Sequence, residues 1–283
     1  MIEQIFVNGL LASLIYVIMA LGFTMIFGIM RIVNFAHGEF YMVGAMVVLL
    51  LFGSMGWPFF AAALAGGILS ALFGVVLERT LFRPLVGDEM AGMIMSLGIG
   101  IMLQSAALIF FGPAEQSVGR PFSGTWGFFN AMVPWDRTVV AISALVILVA
   151  FYLFLKYSKL GLAMQAVAQD PQTASLMGIE SGLIYSASFG IACLLAGLAG
   201  GLMAPVYTVG PYMGDLPMLK AFVVVILGGL GSIPGAVLGG LIIGLSESIL
   251  TTFLDSTAAL IASFAIVLLV VITRPNGLMG RGV

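Results

Sequence analysis

Seven stretches of this chain carry no Asp, Glu, Lys or Arg, and they constrain the fold more than any motif does. They run from Gln4 to Met30, Phe40 to Leu77, Met90 to Ala114, Thr138 to Leu155, Ser181 to Gly214, Ala221 to Ser246 and Ser256 to Thr273. A helix rising about 1.5 Å per residue needs about 20 residues to cross a hydrocarbon core about 30 Å thick. Each stretch therefore holds one span, and the longest can hold two. The runs are apolar on every side, whereas membrane β-strands alternate apolar and polar residues over about ten positions, which argues against a barrel. Only 8% of residues are charged and 61% are apolar, against about 25% charged in a soluble domain, so a water-facing globule has too little polar surface. The expectation is an all-α integral membrane protein, with residues 1–283 forming one transmembrane domain.

Turn signals divide the longest runs. Gly53, Gly56 and Pro58 break the second, and "GSIPG", Gly231 to Gly235, separates the region around Val225 from that around Ile242. This predicts a bundle of eight or nine helices. The piece before "GSIPG", about residues 217–231, reaches only about 20 Å, too short to cross alone. It reads as a half-helix, or one that borrows length from the Pro205 to Pro217 segment. The helix from Phe40 to Phe52 is short in the same way. The first run has no basic residue before Arg31 and exceeds the 7 to 15 residues of a secretory h-region, so it reads as a retained span.

Positive residues in short loops mark the cytoplasmic side. Arg79 with Arg83, Lys156 with Lys159, and Arg274 with Arg281 form three basic sites. The opposite loops hold Arg120, Arg137 and Lys220, with Arg31 unassigned. The split puts the C-terminus in the cytoplasm and leaves the side of Met1 open.

Enzyme classes fail on inventory. His37 is the only histidine, and His37-Gly38-Glu39 lacks the cysteine pair of a zinc deaminase. One histidine excludes a His-Glu-x-x-His zinc site, and no lysine follows a glycine as a phosphate loop requires. The lone Cys193 excludes an intramolecular disulfide, and a net charge of −2 gives no footprint for nucleic acid.

Four segments could carry function. "IMRIVNFAHGEFYMVGA", Ile29 to Ala45, puts Asn34, His37 and Glu39 between apolar runs, as a path element or a polar turn. "KYSKLGLAMQAVAQDPQTASLMGIE", Lys156 to Glu180, is the longest polar stretch on the basic side. Asp170 can cap a helix with Pro171 at its first position, and Gly178 can end it. At about two turns that helix is too short to stand alone, so it docks on a partner or lies as an ordinary loop helix on the membrane surface. The loop from Pro113 to Arg137 carries Trp126, Phe128, Phe129 and Trp135, as an interfacial belt or a docking surface for an external partner. "ILGGLGSIPGAVLGGLIIG", Ile226 to Gly244, spaces Gly235 and Gly239, and Gly240 and Gly244, for close helix approach. Pro234 prevents a regular helix through its turn, so Gly228, Gly231, Pro234 and Gly235 mark either packing or a translocation path. Interrupted segments near both chain ends raise an internal repeat. Glu39 and Glu247 are the acids an ion-coupled carrier would need, which keeps a secondary transporter as the alternative class.

Taken together, "NFAHGEFYMVGA", "ERTLFRPL", "AQDPQTASLMGI", "GGLGSIPGAVLGGLIIG" and "RPNGLMGR" resemble, in order, the LivH-type permease of bacterial branched-chain amino acid ABC importers. The resemblance implies a multi-pass subunit of the bacterial inner membrane that moves branched-chain or related amino acids inward. It implies a second, LivM-like permease, two cytoplasmic ATPases carrying ATP and Mg²⁺, and a periplasmic substrate-binding protein, with no cofactor on this chain. Urea and short-amide importers use similar permeases. Carried onto this chain, the coupling element falls in residues 156–181, on Ala168, Gln169, Asp170, Pro171, Ala174 and Gly178. A connection nearer 205–220 is the competing location.

Overall fold

The structure is a computed structural model and describes residues 2–128 and 131–280; Phe129 and Arg281 lie outside the described residues. Helix α1 spans Ile2–Met30 and α2 spans His37–Val48, continued as a π turn over Leu49–Ser54. Helix α3 spans Phe59–Leu77 and runs on through irregular turns to Leu85, and α4 spans Glu89–Phe111. A short hairpin, β1 Thr125–Phe128 and β2 Ala131–Pro134, precedes α5, Trp135–Tyr157. Helices α6, Lys159–Gln169, and α7, Pro171–Leu176, lead into α8, Ser181–Met203. Helices α9, Asp215–Gly228, α10, Ile233–Phe253, and α11, Ser256–Thr273, complete the bundle. Eight helices among the described residues are long and apolar enough to cross a membrane.

Arg31, Arg79, Arg83, Lys156, Lys159 and Arg274 stand at or beyond helix ends on one side, here the basic end. Helix α1 runs antiparallel to α10, because a Cβ at Gly9 would meet Leu245 and Gly28 faces Gly231. Asn8 accepts a hydrogen bond from Arg137 at the start of α5. Ile2 therefore lies at the opposite end from Arg31, which fixes the direction the sequence left open.

Two crossings are composite. After α1 reaches the basic end, residues 31–36 turn back without helix, and α2 begins inside the bundle. After α8 reaches the opposite end, residues 204–214 turn back, and the 14 residues of α9 complete the return. The half-helix expectation before "GSIPG" holds, with the missing length supplied by the 205–217 region. The two composite crossings run in opposite directions: α2 climbs from the middle to the opposite end, and α9 descends from the middle to the basic end. Helix α1 packs along α10 as α3 packs along α8, so the elements obey an inverted repeat that residue identities do not reveal.

Glycine makes this packing possible. Gly235 and Gly239 face α9, where a Cβ on either would meet the carbonyl of Gly228 or Val224, and Gly240 and Gly244 face Val17 and Ser13 of α1. The two four-residue spacings thus serve two different neighbours on two faces of α10. At the seam, Ser232 caps α10 by accepting from the Gly235 amide at 3.2 Å, with Pro234 in the first turn. The Leu278 and Met279 amides donate to the Leu227 and Gly228 carbonyls at 2.9 and 3.0 Å. The tail thus satisfies the end of α9, which would otherwise leave backbone acceptors bare in the bilayer.

At the basic end of α3, "ERTLFRPL" forms a clamp on a buried acid. Arg83 donates through Nε and Nη2 to the two oxygens of Glu78, each at 3.0 Å, and Ser186 of α8 donates to Glu78 at 2.7 Å. Glu78 is fully buried, a position a carboxylate holds only when paired and hydrogen-bonded.

Candidate translocation site

Part of the non-helical backbone of 31–36 is satisfied by polar groups inside the protein, as irregular backbone at membrane depth needs. Ser96 of α4 accepts from the Phe35 amide at 3.0 Å, and the Asn34 carboxamide oxygen accepts from the Ala36 amide at 3.1 Å. The His37 amide donates to the Asn34 carbonyl at 3.2 Å. Asn34 therefore makes the turn that starts α2. The His37 ring is fully buried, 3.2 Å from the Met19 carbonyl through Nε2 and edge-on to Phe23. A carbonyl only accepts, so Nε2 carries the proton. Gly22 makes room for the ring, since a Cβ there would strike it.

Glu39 follows in the first turn of α2. Its side chain lies level with Gly100, the midpoint of α4, whose added Cβ would sit 3.8 Å from Glu39 Cγ. Gln104 Nε2 donates to Glu39 Oε1 at 2.8 Å and to Asp215 Oδ1 at 2.9 Å. Asp215 opens α9. The two half-helices thus meet start to start, with Gly38 against the backbone of Gly214 and one glutamine bridging their carboxylates. Helix starts carry about half a positive charge each and favour acids there.

A second polar network holds the other face of α9. Lys220 Nζ lies 2.9 Å from Glu247 Oε2, which also accepts from the Tyr16 hydroxyl at 2.9 Å. Lys220 is not a loop residue as its place beside an apolar run implies; it is buried within α9. Glu247 lines a cavity of about 280 Å³ with Asn8, Tyr16, Arg137, Tyr207 and Ser248. The cavity stands toward the end opposite the basic one. Glu247 is therefore both paired and wetted from that side.

The structure brings Asn34, His37 and Glu39 together at the break, where a backbone bond joins His37 to Asn34, but their side chains bond other partners. Gly228, Gly231, Pro234 and Gly235 lie a full length of α9 from Asp215, about 21 Å at 1.5 Å per residue, in the seam closed by the tail. Sequence reasoning missed Gln104, Asp215 and Tyr16; a lone glutamine deep in an uncharged run was the available signal.

At the basic end, Asp170 accepts from the Gln172 and Thr173 amides and from the Thr173 hydroxyl, and Pro171 follows as the first helical residue. These donors hold the Asp170 carboxyl below its ordinary range. Gly178 ends the element with a φ of +84°, the conformation glycine adopts most readily. Ala168, Gln169, Asp170, Pro171 and Gly178 are exposed. Ala174 is a correction: at 4% exposure it is turned inward and positions α7 rather than offering it to a partner. The exposed apolar tip is Leu176 and Met177. Residues 159–169 are also helical, capped by Ser158, a helix not assigned from the sequence. The competing 205–220 segment is excluded from the basic end, because Val209 pairs with Gln116 and Thr208 bonds Glu115 in the loop after α4.

Comparison with known proteins agrees with this architecture. Residues 5–273 match the family model described as branched-chain amino acid transport system / permease component. The chain is 33% identical to the high-affinity branched-chain amino acid transport system permease protein LivH of Escherichia coli strain K12, covering 99% of this chain and 96% of that one. It is 33% identical to the permease protein BraD of Pseudomonas aeruginosa, over 98% and 95% of the two chains. The permease protein LivM of Escherichia coli is 28% identical over 94% of this chain and 68% of its own length. The structure of PsaBC from Streptococcus pneumoniae shares the fold, with a TM-score of 0.50 at 15% identity over 93% and 89% of the chains. The relatives are named as permease proteins of branched-chain amino acid transport systems rather than as enzymes, and this chain belongs to the branched-chain amino acid transport system permease family.

Proposed function

We propose that this permease subunit works in the inner membrane of a bacterium beside a second, LivM-like permease, taking branched-chain or related amino acids from a periplasmic binding protein into the cytoplasm. Two ATPases supply the energy and hold ATP and Mg²⁺; this chain binds neither. The basic end faces the cytoplasm, consistent with the positive-inside distribution. The observation that carries the reading is the α6–α7 projection at that end. It is a pair of short capped helices whose tip exposes Leu176 at 86% and Met177 at 80%, adjacent apolar side chains that a partner at this end can cover. The coupling contact is made by Ala168, Gln169, Asp170, Pro171 and this tip.

Closure of the ATPases shifts the permease pair between outward-open and inward-open states only insofar as nucleotide binds the two states differently. The composite crossings are the elements suited to move, because their non-helical halves absorb a change of direction. Asn34, His37 and Glu39 belong to the path or its immediate support, and the Gly228 to Gly235 seam is a point where α9 can slide on α10.

The test is purification of the tagged chain from its native membrane. Two ATPase subunits and a second permease co-purify, and Leu176→Asp with Met177→Asp removes the ATPases while leaving the chain inserted. A chain that purifies without ATPases, or a tip double variant that retains them, contradicts the reading.

A further inference from the structure

The meeting point of the half-helices has an electrostatic imbalance that packing does not account for. Two carboxylates, Glu39 and Asp215, share one neutral donor, Gln104. With both acids ionised, the two helix starts, which supply about one positive charge between them, leave about one negative charge at the level of the middle of α4. Among the described residues no lysine or arginine pairs with either acid: the ion pairs join Arg83 to Glu78, Arg120 to Asp136, and Lys220 to Glu247. Lys220, five residues along α9, is committed to the other face of the helix.

Two independent observations point outward from this cluster to a ligand. Glu39 is 4% exposed, yet its Oε2 has no hydrogen-bond partner within the chain, so a buried oxygen is left with bonding capacity that the subunit itself does not fill. Asp215, by contrast, is exposed on the surface of the bundle, between Tyr212, Leu216 and Leu219, which are exposed as well. A carboxylate exposed at this depth is too costly to face hydrocarbon. The face that carries it is therefore covered by protein and water, which on the reading proposed above means the second permease and the path between the two subunits.

We propose that Glu39, Gln104 and Asp215 form a cation-selective station in that path, where the ammonium group of the passing amino acid is received by the free carboxylate oxygens. The site takes a monocation: one ammonium neutralises the residual charge, and the two acids on opposite half-helices grip it from both sides. When α2 and α9 part, the grip is lost and the ligand leaves, so binding is transient by construction. The carboxylate of the amino acid is left facing away from the station, toward whatever the second subunit supplies.

The inference rests on the importer reading, and the test separates the two. In the assembled transporter, Leu216→Cys, exposed beside Asp215, and, separately, Gln104→Cys, both of which leave the two acids in place, are exposed to two water-soluble thiol reagents of similar size, methanethiosulfonate ethyltrimethylammonium and methanethiosulfonate ethylsulfonate. The parent chain, whose single Cys193 is buried, sets the background. The station predicts reaction at both positions, with the cationic reagent at least about tenfold faster, as focused fields raise the encounter rate of counter-ions. Adding Glu39→Gln brings the two rates close together. Equal rates with Glu39 intact, or no reaction at either position in a correctly assembled complex, overturns the proposal. Leucine uptake by the parent complex is measured alongside. Its absence refutes the importer reading and leaves the labelling result standing by itself.

Discussion

Lys220 Nζ lies 2.9 Å from Glu247 Oε2, joining α9 to α10 inside the bundle, with 7% and 21% of the two side chains exposed. The asymmetry predicts an order of effects. Glu247→Gln strands a buried cation, and removing one partner of a buried pair costs about 3–5 kcal/mol. Lys220→Met costs less, because Glu247 keeps the Tyr16 hydroxyl and the cavity beside it. The double variant is more stable than Glu247→Gln alone. Thermal unfolding of the purified complex in detergent gives all three values, and a double variant no better than the worse single one contradicts the pairing.

Gly38 and Gly214 set how closely the half-helices approach. A Cβ on Gly38 would lie 2.5 Å from the Gly214 carbonyl oxygen and 2.7 Å from Met218 Cβ. Gly38→Ala therefore costs about 1–3 kcal/mol as overpacking and lowers transport by separating Glu39 from Asp215. Gly98→Ala, where an added Cβ meets nothing within 4 Å, is neutral or gains up to about 1 kcal/mol of helix propensity. Melting temperature and uptake of the two variants distinguish a local packing cost from a general intolerance of substitution.

The cap at Asp170 predicts a pH dependence confined to the coupling segment. The Thr173 hydroxyl and the Thr173 and Gln172 amides favour the ionised carboxyl and lower its pKa in the folded state. A lowered folded-state value means that the contribution is complete above the unfolded value, about 3.9, and is lost as pH falls through the folded one. Protection of the 156–181 segment from protease stays constant from neutral pH down to about pH 5 and declines only in stronger acid. Asp170→Asn retains an acceptor without the titration, so its protection does not follow that decline. A decline near pH 6 to 7 would assign the protection to another group.

The parts of the fold legible in the sequence were those written in local runs. The crossings follow from uncharged stretches, the seam from Gly231 and Pro234, and the α7 cap from Asp170, Pro171 and Gly178. What stayed hidden depends on residues distant in the chain. Gln104 meets Asp215 across 111 positions, and no periodicity within α4 announces it. Lys220 beside an apolar run looks like the end of a span until its partner 27 residues later is known. Helix α6 lies within a segment whose polar composition carries no strong helical signal, although Gly161, Met164 and Val167 are buried on one face. The internal repeat raised by the interrupted segments pairs the break at 31–36 with 204–214 rather than with the 226–244 segment, because direction and packing are shared by the two halves and side chains are not.

Uptake of labelled leucine into proteoliposomes is the most direct test of the whole account. Vesicles holding this chain with a second permease and two ATPases accumulate leucine when ATP is inside and the binding protein is outside, and neither condition suffices alone. Vesicles holding this chain alone accumulate none under a proton or sodium gradient. Gradient-driven uptake by the isolated chain, without ATP, would contradict the account and make Glu39 and Glu247 the acids of a secondary carrier.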